Sequence, residues 1–279
     1  VFRISKAAQE AFSASHPEAQ VIVDNHGTGG GFGRYLEGEV DIVDASRAAK
    51  PEEEAQAKAK GLDWTRFLIA YDGISLVVNP KNTFVKSLSV DQLKAMFMAG
   101  SKVKTWKDLN PAWPADPISF YTPDDDSGTY EFFLEAVIGK GGRQREDVQA
   151  SSDDNILVRG VAGDPNAIGY FGYAYYVGNQ AKLRVIPIQE KTDAPAIEPT
   201  HDTILDKTYR PLARPLYLYV KNRSLSRSTV ADFVRYYLEN CAQVAEKAGY
   251  VAPPEAERAA NLSALKVGDG LEDGVQQGP

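Results

Sequence analysis

A single cysteine, Cys241, stands in 279 residues, so no intrachain disulfide can form and the thiol reads as a buried one. Histidine is nearly as scarce: His16, His26 and His201 are far apart, and no Cys/His cluster suggests zinc. No apolar run approaches the length that spans a bilayer. No signal peptide is recognised, and because the chain opens at Val1 in mid-motif, its natural N-terminus is expected upstream. Basic residues are outnumbered, 31 against 38 acidic, for a net charge of −7. No basic patch stands out, which argues against a nucleic-acid partner. Any anion site must therefore act through local geometry against the field of the whole chain. The glycine cluster Gly27-Thr28-Gly29-Gly30-Gly31 lacks the GxGxxG spacing, having Phe32 where a glycine is needed, and lacks the GK[ST] ending of a nucleotide loop. A GxSxG nucleophile turn is absent. The acidic run Asp124–Asp126 has neither the spacing nor the terminal Glu of a calcium loop. No metal or organic cofactor is implied.

What is present is an ordinary globular composition, 43% hydrophobic and 25% charged, long enough for one large or two medium domains. Periodicity predicts a helix over 3–13, strands at Gln20–Asp24 and Asp41–Asp44, a helix from about Phe32 to Glu37, and a helix opened by Pro51. Strands at 68–70 and 74–79 flank a break at Asp72-Gly73. This strand–helix alternation implies α/β architecture with a parallel sheet. A second unit starts near Pro80, with helices over 90–99, from Ser127 to about Ile138, and over 154–162. Its strands are 118–121 and 168–173, and the tyrosines around Phe171 fit a partly buried strand. Residues 180–208 read as irregular, 216–220 as a strand, 228–248 as one long amphipathic helix, and the polar tail after Gly268 as frayed.

Two turns carry the chemistry. A helix N-terminus has free backbone N–H groups and a partial positive charge. Glycine admits an oxyanion close to that backbone, and Ser or Thr adds a rotatable donor. Gly27–Gly31 and Ser127–Thr129 both have these features between a strand and a helix, and together they would surround a small tetrahedral anion with neutral donors. The plainer reading of each is a tight turn and an N-cap.

With these residues in hand, the chain resembles phosphate-binding proteins of the Pst-type ABC importer, in the branch whose glycine cluster is followed by Ala-Ser-Arg. The matching stretches are Gly27–Gly33, Asp41–Arg47, Asp72–Pro80, Trp106–Leu109, Asp126–Thr129, Ser152–Val161 and Ala167–Tyr176, in family order. The resemblance implies a two-lobed periplasmic-binding-protein fold of type II, with residues 1–78 and 209–279 in one lobe and 79–208 in the other. It implies a non-enzymatic, monomeric capture protein for inorganic phosphate. That protein would be periplasmic or extracellular, free or lipid-anchored, and would deliver its ligand to ABC permease subunits. The implied phosphate-binding residues are Val1, Phe2, Thr28, Gly29, Ser46, Arg47, Asp126, Ser127, Gly128 and Thr129. The sequence departs from better-known members at Arg47, where they carry Asp, and at Pro123, where they carry Arg. Arg47 would then contact the anion, and one acid among Asp44, Asp124, Asp125 and Asp126 would read the proton of HPO₄²⁻. The plainer reading of Arg47 is an ion pair with Asp44 or Glu52.

Three alternatives stay open: a carrier of another oxyanion such as sulfate or phosphonate, a phosphate sensor using the same fold, and a phosphoester hydrolase with Ser127 or Thr129 as nucleophile. The hydrolase lacks a base, because none of the three histidines has an evident triad partner.

Overall fold

A computed structural model describes residues 1–24, 26–125 and 127–265. In chain order its elements are α1 (Phe2–Ser15), α2 (Gly27–Leu36), β1 (Ile42–Ala45), α3 (Pro51–Ala59), β2 (Trp64–Val78), β3 (Leu88–Ser89), α4 (Val90–Phe97), β4 (Ser119–Thr122) and α5 (Gly128–Phe133). There follow β5 (Gln149–Ala150), α6 (Asp154–Gly163), β6 (Ala167–Gly172), α7 (Tyr173–Val177), β7 (Arg184–Val185), β8 (Ile188–Gln189), α8 (His201–Leu205), β9 (Ala213–Lys221), α9 (Ser228–Glu239), α10 (Cys241–Ala248) and α11 (Glu255–Ala264). Two compact units result: Val1–Ala70 with Pro215–Ala248 and Ala252 onward, and Tyr71–Arg214 with Gly249–Val251. The chain passes between them along β2 and β9.

In the first unit β1 pairs antiparallel with β9, Val43 opposite Tyr219 and Asp44 opposite Leu218. The alternation of β1 sends Val43 and Ala45 into a core with Phe32, Tyr35 and Tyr219, which Trp64 borders. Asp44 and Ser46 fall on the other parity. The helix α1 buries Ile4, Ser5, Ala8 and Phe12, a stripe at helical spacing. Phe12 meets Phe233 edge-on at 5.4 Å, and the Ser5 hydroxyl meets the Tyr237 hydroxyl at 3.1 Å. Cys241 is buried, as its solitary thiol suggests, with Sγ donating to Ile69 O.

In the second unit β6 pairs antiparallel with β2, while β4 pairs parallel with both β6 and β5. Val77, Leu157, Val161, Phe171 and Leu183 pack into one core. Arg145 is buried elsewhere in this unit: it donates to Met96 O and Val103 O, forks onto Asp147, and lies 4.0 Å from the Phe120 ring centroid.

Several sequence expectations are corrected. Gln20–Asp24 is not a strand; it finds no ladder partner among the described residues, and Ile22 is 75% exposed. Among the described residues β1 pairs antiparallel with β9, not in the parallel crossover expected. Asp72-Gly73 is no break: β2 runs straight through it, because the missing Cβ of Gly73 makes room for Ile204, which would otherwise lie 2.5 Å away. Tyr173, Tyr175 and Tyr176 lie in α7 and not in a strand. The long helix predicted over 228–248 divides at Asn240, whose side chain donates back to Tyr236 O. The tail after Gly268 lies outside the described residues.

Candidate functional site

The first unit builds a donor set at the start of α2. The glycine cluster is itself helical from Gly27, not a turn ahead of a helix beginning at Phe32. Gly27 supplies the entry with φ 64°, a conformation that costs other residues energy. Thr28 follows in the first turn, where N–H groups have no intrahelical acceptor. A Cβ at Gly29 would meet nothing within 4 Å, so the backbone there is open to approach. Ser46 lies just past β1 and meets Thr28 twice: its N–H donates to Thr28 Oγ1 at 3.1 Å, and the two hydroxyls are 3.1 Å apart. Eighteen residues of sequence separate them, and the strand end and helix start bring them together.

Arg47 follows Ser46, and its guanidinium forks onto Glu53, Nη1 and Nη2 each 2.8 Å from a carboxylate oxygen. Nη1 also donates to Ala48 O, and the Phe32 ring lies 5.5 Å from the guanidinium carbon. The acid partner is thus Glu53, not Asp44 or Glu52. Glu53 also accepts from Lys50 N at 2.7 Å and so closes the N-terminus of α3. Burial alone would raise its carboxyl, but the bonds from Arg47 and Lys50 hold it below the usual range.

Asp44, two residues before Ser46 on the same parity of β1, is an acid in a desolvated place. Burial pushes its carboxyl up to about 6, against the opposing effect of a hydrogen bond from Ser5. Val1 caps α1, its carbonyl accepting from Ile4 N, and Phe2 is an exposed residue of the first turn.

The second unit builds its donor set at the start of α5. Ser127 is the N-cap, and its Oγ accepts from Thr129 N at 3.2 Å. Gly128 is exposed and Thr129 half-buried. Asp126 lies outside the described residues. Asp124 is half-buried, with Oδ1 shielded from solvent and without a hydrogen-bond partner among the described residues.

Two residues at this turn escaped the sequence reading. Arg214 donates to Gly128 O at 3.3 Å and to Asp72 Oδ2 through Nε at 3.3 Å and Nη2 at 3.2 Å. The available signal was a charge inside each of two apolar strands, Asp72 in β2 and Arg214 in β9. Their separation of 142 residues hides the pairing from any local pattern.

Comparison with known proteins agrees with this architecture. The sequence matches the family model described as a PBP superfamily domain over residues 2–240. It is 38% identical over 266 residues to the phosphate-binding protein PstS of Staphylococcus aureus, which covers 94% of this chain and 79% of that one. The solved structure of a possible phosphate binding protein from Planctomyces limnophilus superposes with a TM-score of 0.91 at 39% identity, covering 95% of this chain and 94% of that one. A crystal structure from Clostridium perfringens that holds bound phosphate gives a TM-score of 0.60 at 28% identity, covering 91% and 96%. The fold is thus the mixed α/β, two-lobed fold of periplasmic phosphate-binding proteins. The chain belongs to the PBP superfamily and, within it, to the family of the phosphate-binding protein PstS.

Proposed function

We propose that the chain captures inorganic phosphate outside the cytoplasm and delivers it to the membrane subunits of an ABC importer. The observation that carries this reading is the Thr28–Ser46 hydroxyl pair at the start of α2, in a chain 38% identical to a phosphate-binding protein. Neutral hydroxyls and helix-start amides suit an anion on a chain of net charge −7, since they need no basic surface. Thr28, Gly29 and Ser46 serve from the first unit, and Ser127, Gly128 and Thr129 from the second, with Val1 and Phe2 adding backbone donors. Asp44, Asp124, Asp125 or Asp126 takes the phosphate proton. Arg47, held by Glu53, acts as a fixed positive charge beside Ser46. Residues 1–78 with 209–279, and residues 79–208, are proposed as the two lobes, and the Ala-Ser-Arg tripeptide as the mark of the branch. The protein works as a monomer, free or lipid-anchored. No helix of the described residues is long and apolar enough to cross a membrane.

The chain acts without catalysis. Ser127 Oγ is engaged as a helix cap, and the histidines have other partners: His16 with Ser15, His26 with Arg34, His201 with Asp202. Calorimetric titration of the ligand-stripped protein at pH 7.5 is expected to give one-to-one phosphate binding and no heat with sulfate. Silence with phosphate removes the reading; binding of both anions keeps an oxyanion carrier but removes the role of the proton-reading acid.

A further inference from the structure

A carbonyl that opens a helix accepts one intrahelical bond and keeps a second lone pair. At Gly128 that second position is occupied by Arg214 Nη2. The same guanidinium is fixed on two other sides. Asp72 Oδ2 accepts from its Nε and Nη2, and the Phe132 ring lies flat enough for its centroid to stand 3.8 Å from Cζ. Asp72 is 3% exposed, so the pair is sheltered from solvent. A carboxylate in an apolar strand is costly unless paired, and a cation beside a helix start opposes the helix dipole. Pairing with Asp72 accounts for the charge, but not for the placement of the guanidinium against the Gly128 carbonyl.

Covalent geometry supplies the reason. The Gly128 carbonyl and the Thr129 N–H belong to one planar peptide group, so fixing the first fixes the second. The Thr129 N–H is the group that Ser127 Oγ accepts from. We propose that Arg214, anchored by Asp72, is a positioning residue that sets the Gly128–Thr129 peptide plane and, through it, the direction of the Ser127 hydroxyl. The inference rests on the phosphate reading above for its consequence, a turn held ready for the anion, but not for its geometry. A lysine could keep the charge and the pairing with Asp72; it lacks the planar fork that reaches Asp72 and Gly128 O together while stacking on Phe132.

The test compares Arg214→Lys, Asp72→Asn and the double variant Asp72→Asn/Arg214→Lys with the unsubstituted chain. Its readouts are phosphate calorimetry, amide hydrogen exchange at Thr129 by NMR, and thermal melting. Arg214→Lys preserves the buried charge pair and so keeps the variant folded. It is expected to bind phosphate about tenfold more weakly, the scale of one lost hydrogen bond, and to exchange the Thr129 amide at least about tenfold faster. Asp72→Asn is expected to weaken phosphate as well, because the anchor is lost, and the double variant is expected to be no weaker than the product of the two losses would require. If Arg214 acted through its field alone, removing the neighbouring carboxylate would tighten phosphate binding; that result overturns positioning. A lower melting temperature with unchanged Thr129 exchange and unchanged affinity would make Arg214 a brace of the fold only, which also overturns it. Should the unsubstituted chain bind no phosphate, the functional reading fails, and Thr129 exchange still decides the role of Arg214.

Discussion

Thr28→Val is expected to weaken phosphate binding by about 10- to 100-fold while leaving the fold intact. Two hydroxyls 3.1 Å apart, Thr28 and Ser46, hold two protons. One proton serves their mutual bond, and the other is free for an anion. Thr28 Oγ1 also accepts the Ser46 N–H at 3.1 Å, so the pair has a fixed direction before any ligand arrives. Valine keeps the branched shape and removes the oxygen. The loss is one charge-assisted hydrogen bond, about 1.5–3 kcal/mol, which converts to the stated range of affinity. The Ser46 N–H loses its acceptor at the same time. Thr28→Ser restores the hydroxyl and is expected to bind within about threefold of the parent. Calorimetry of the three proteins at one pH decides the matter: equal affinity for Thr and Val at position 28 would exclude Thr28 from the site.

The donor sets were legible in the sequence because their signals are local. Ser127 ahead of a glycine and a helical stripe reads as a cap, and the structure shows it capping Thr129. Pro51 marks the start of α3. What could not be read depends on distant chain. Gln20–Asp24 has the composition of a strand, but a strand exists only where a neighbour supplies its ladder. Asp72-Gly73 has the composition of a turn, yet Ile204 fills the space that glycine leaves and the strand continues. The tyrosines of α7 alternate as a strand would over a few residues, which is too short a stretch for period alone to separate the two states. Arg47 has the chemistry of a phosphate ligand; its partner Glu53 belongs to a helix whose position only the fold reveals. Arg214 is the extreme case, since nothing near it in sequence points to Gly128.

The second large effect is expected at Asp44, and it concerns which anion is refused. A carboxylate can accept the proton that HPO₄²⁻ carries; SO₄²⁻ has none, and two like charges brought together cost several kcal/mol. Asp44→Asn is therefore expected to raise sulfate affinity by about 100-fold or more at pH 7.5, with a much smaller change for phosphate. The raised carboxyl of Asp44 gives the same prediction a pH axis. As the pH falls through about 6, Asp44 in the parent becomes neutral, and sulfate binding is expected to appear. The Asn variant has no such transition in sulfate binding. Stability follows the same group with a definite sign. A carboxyl whose pKa is raised by folding favours the folded state fully below its unfolded value near 4, and that advantage is lost as the pH rises through about 6. The melting temperature of Asp44→Asn is thus expected to gain on that of the parent between about pH 4 and pH 6, and to hold the gain above. A variant that gains stability in this window without admitting sulfate would make Asp44 a buried acid of the fold alone. The test would then pass to Asp124→Asn, Asp125→Asn and Asp126→Asn, and sulfate refused by all four variants would end the account of discrimination by a proton-reading acid.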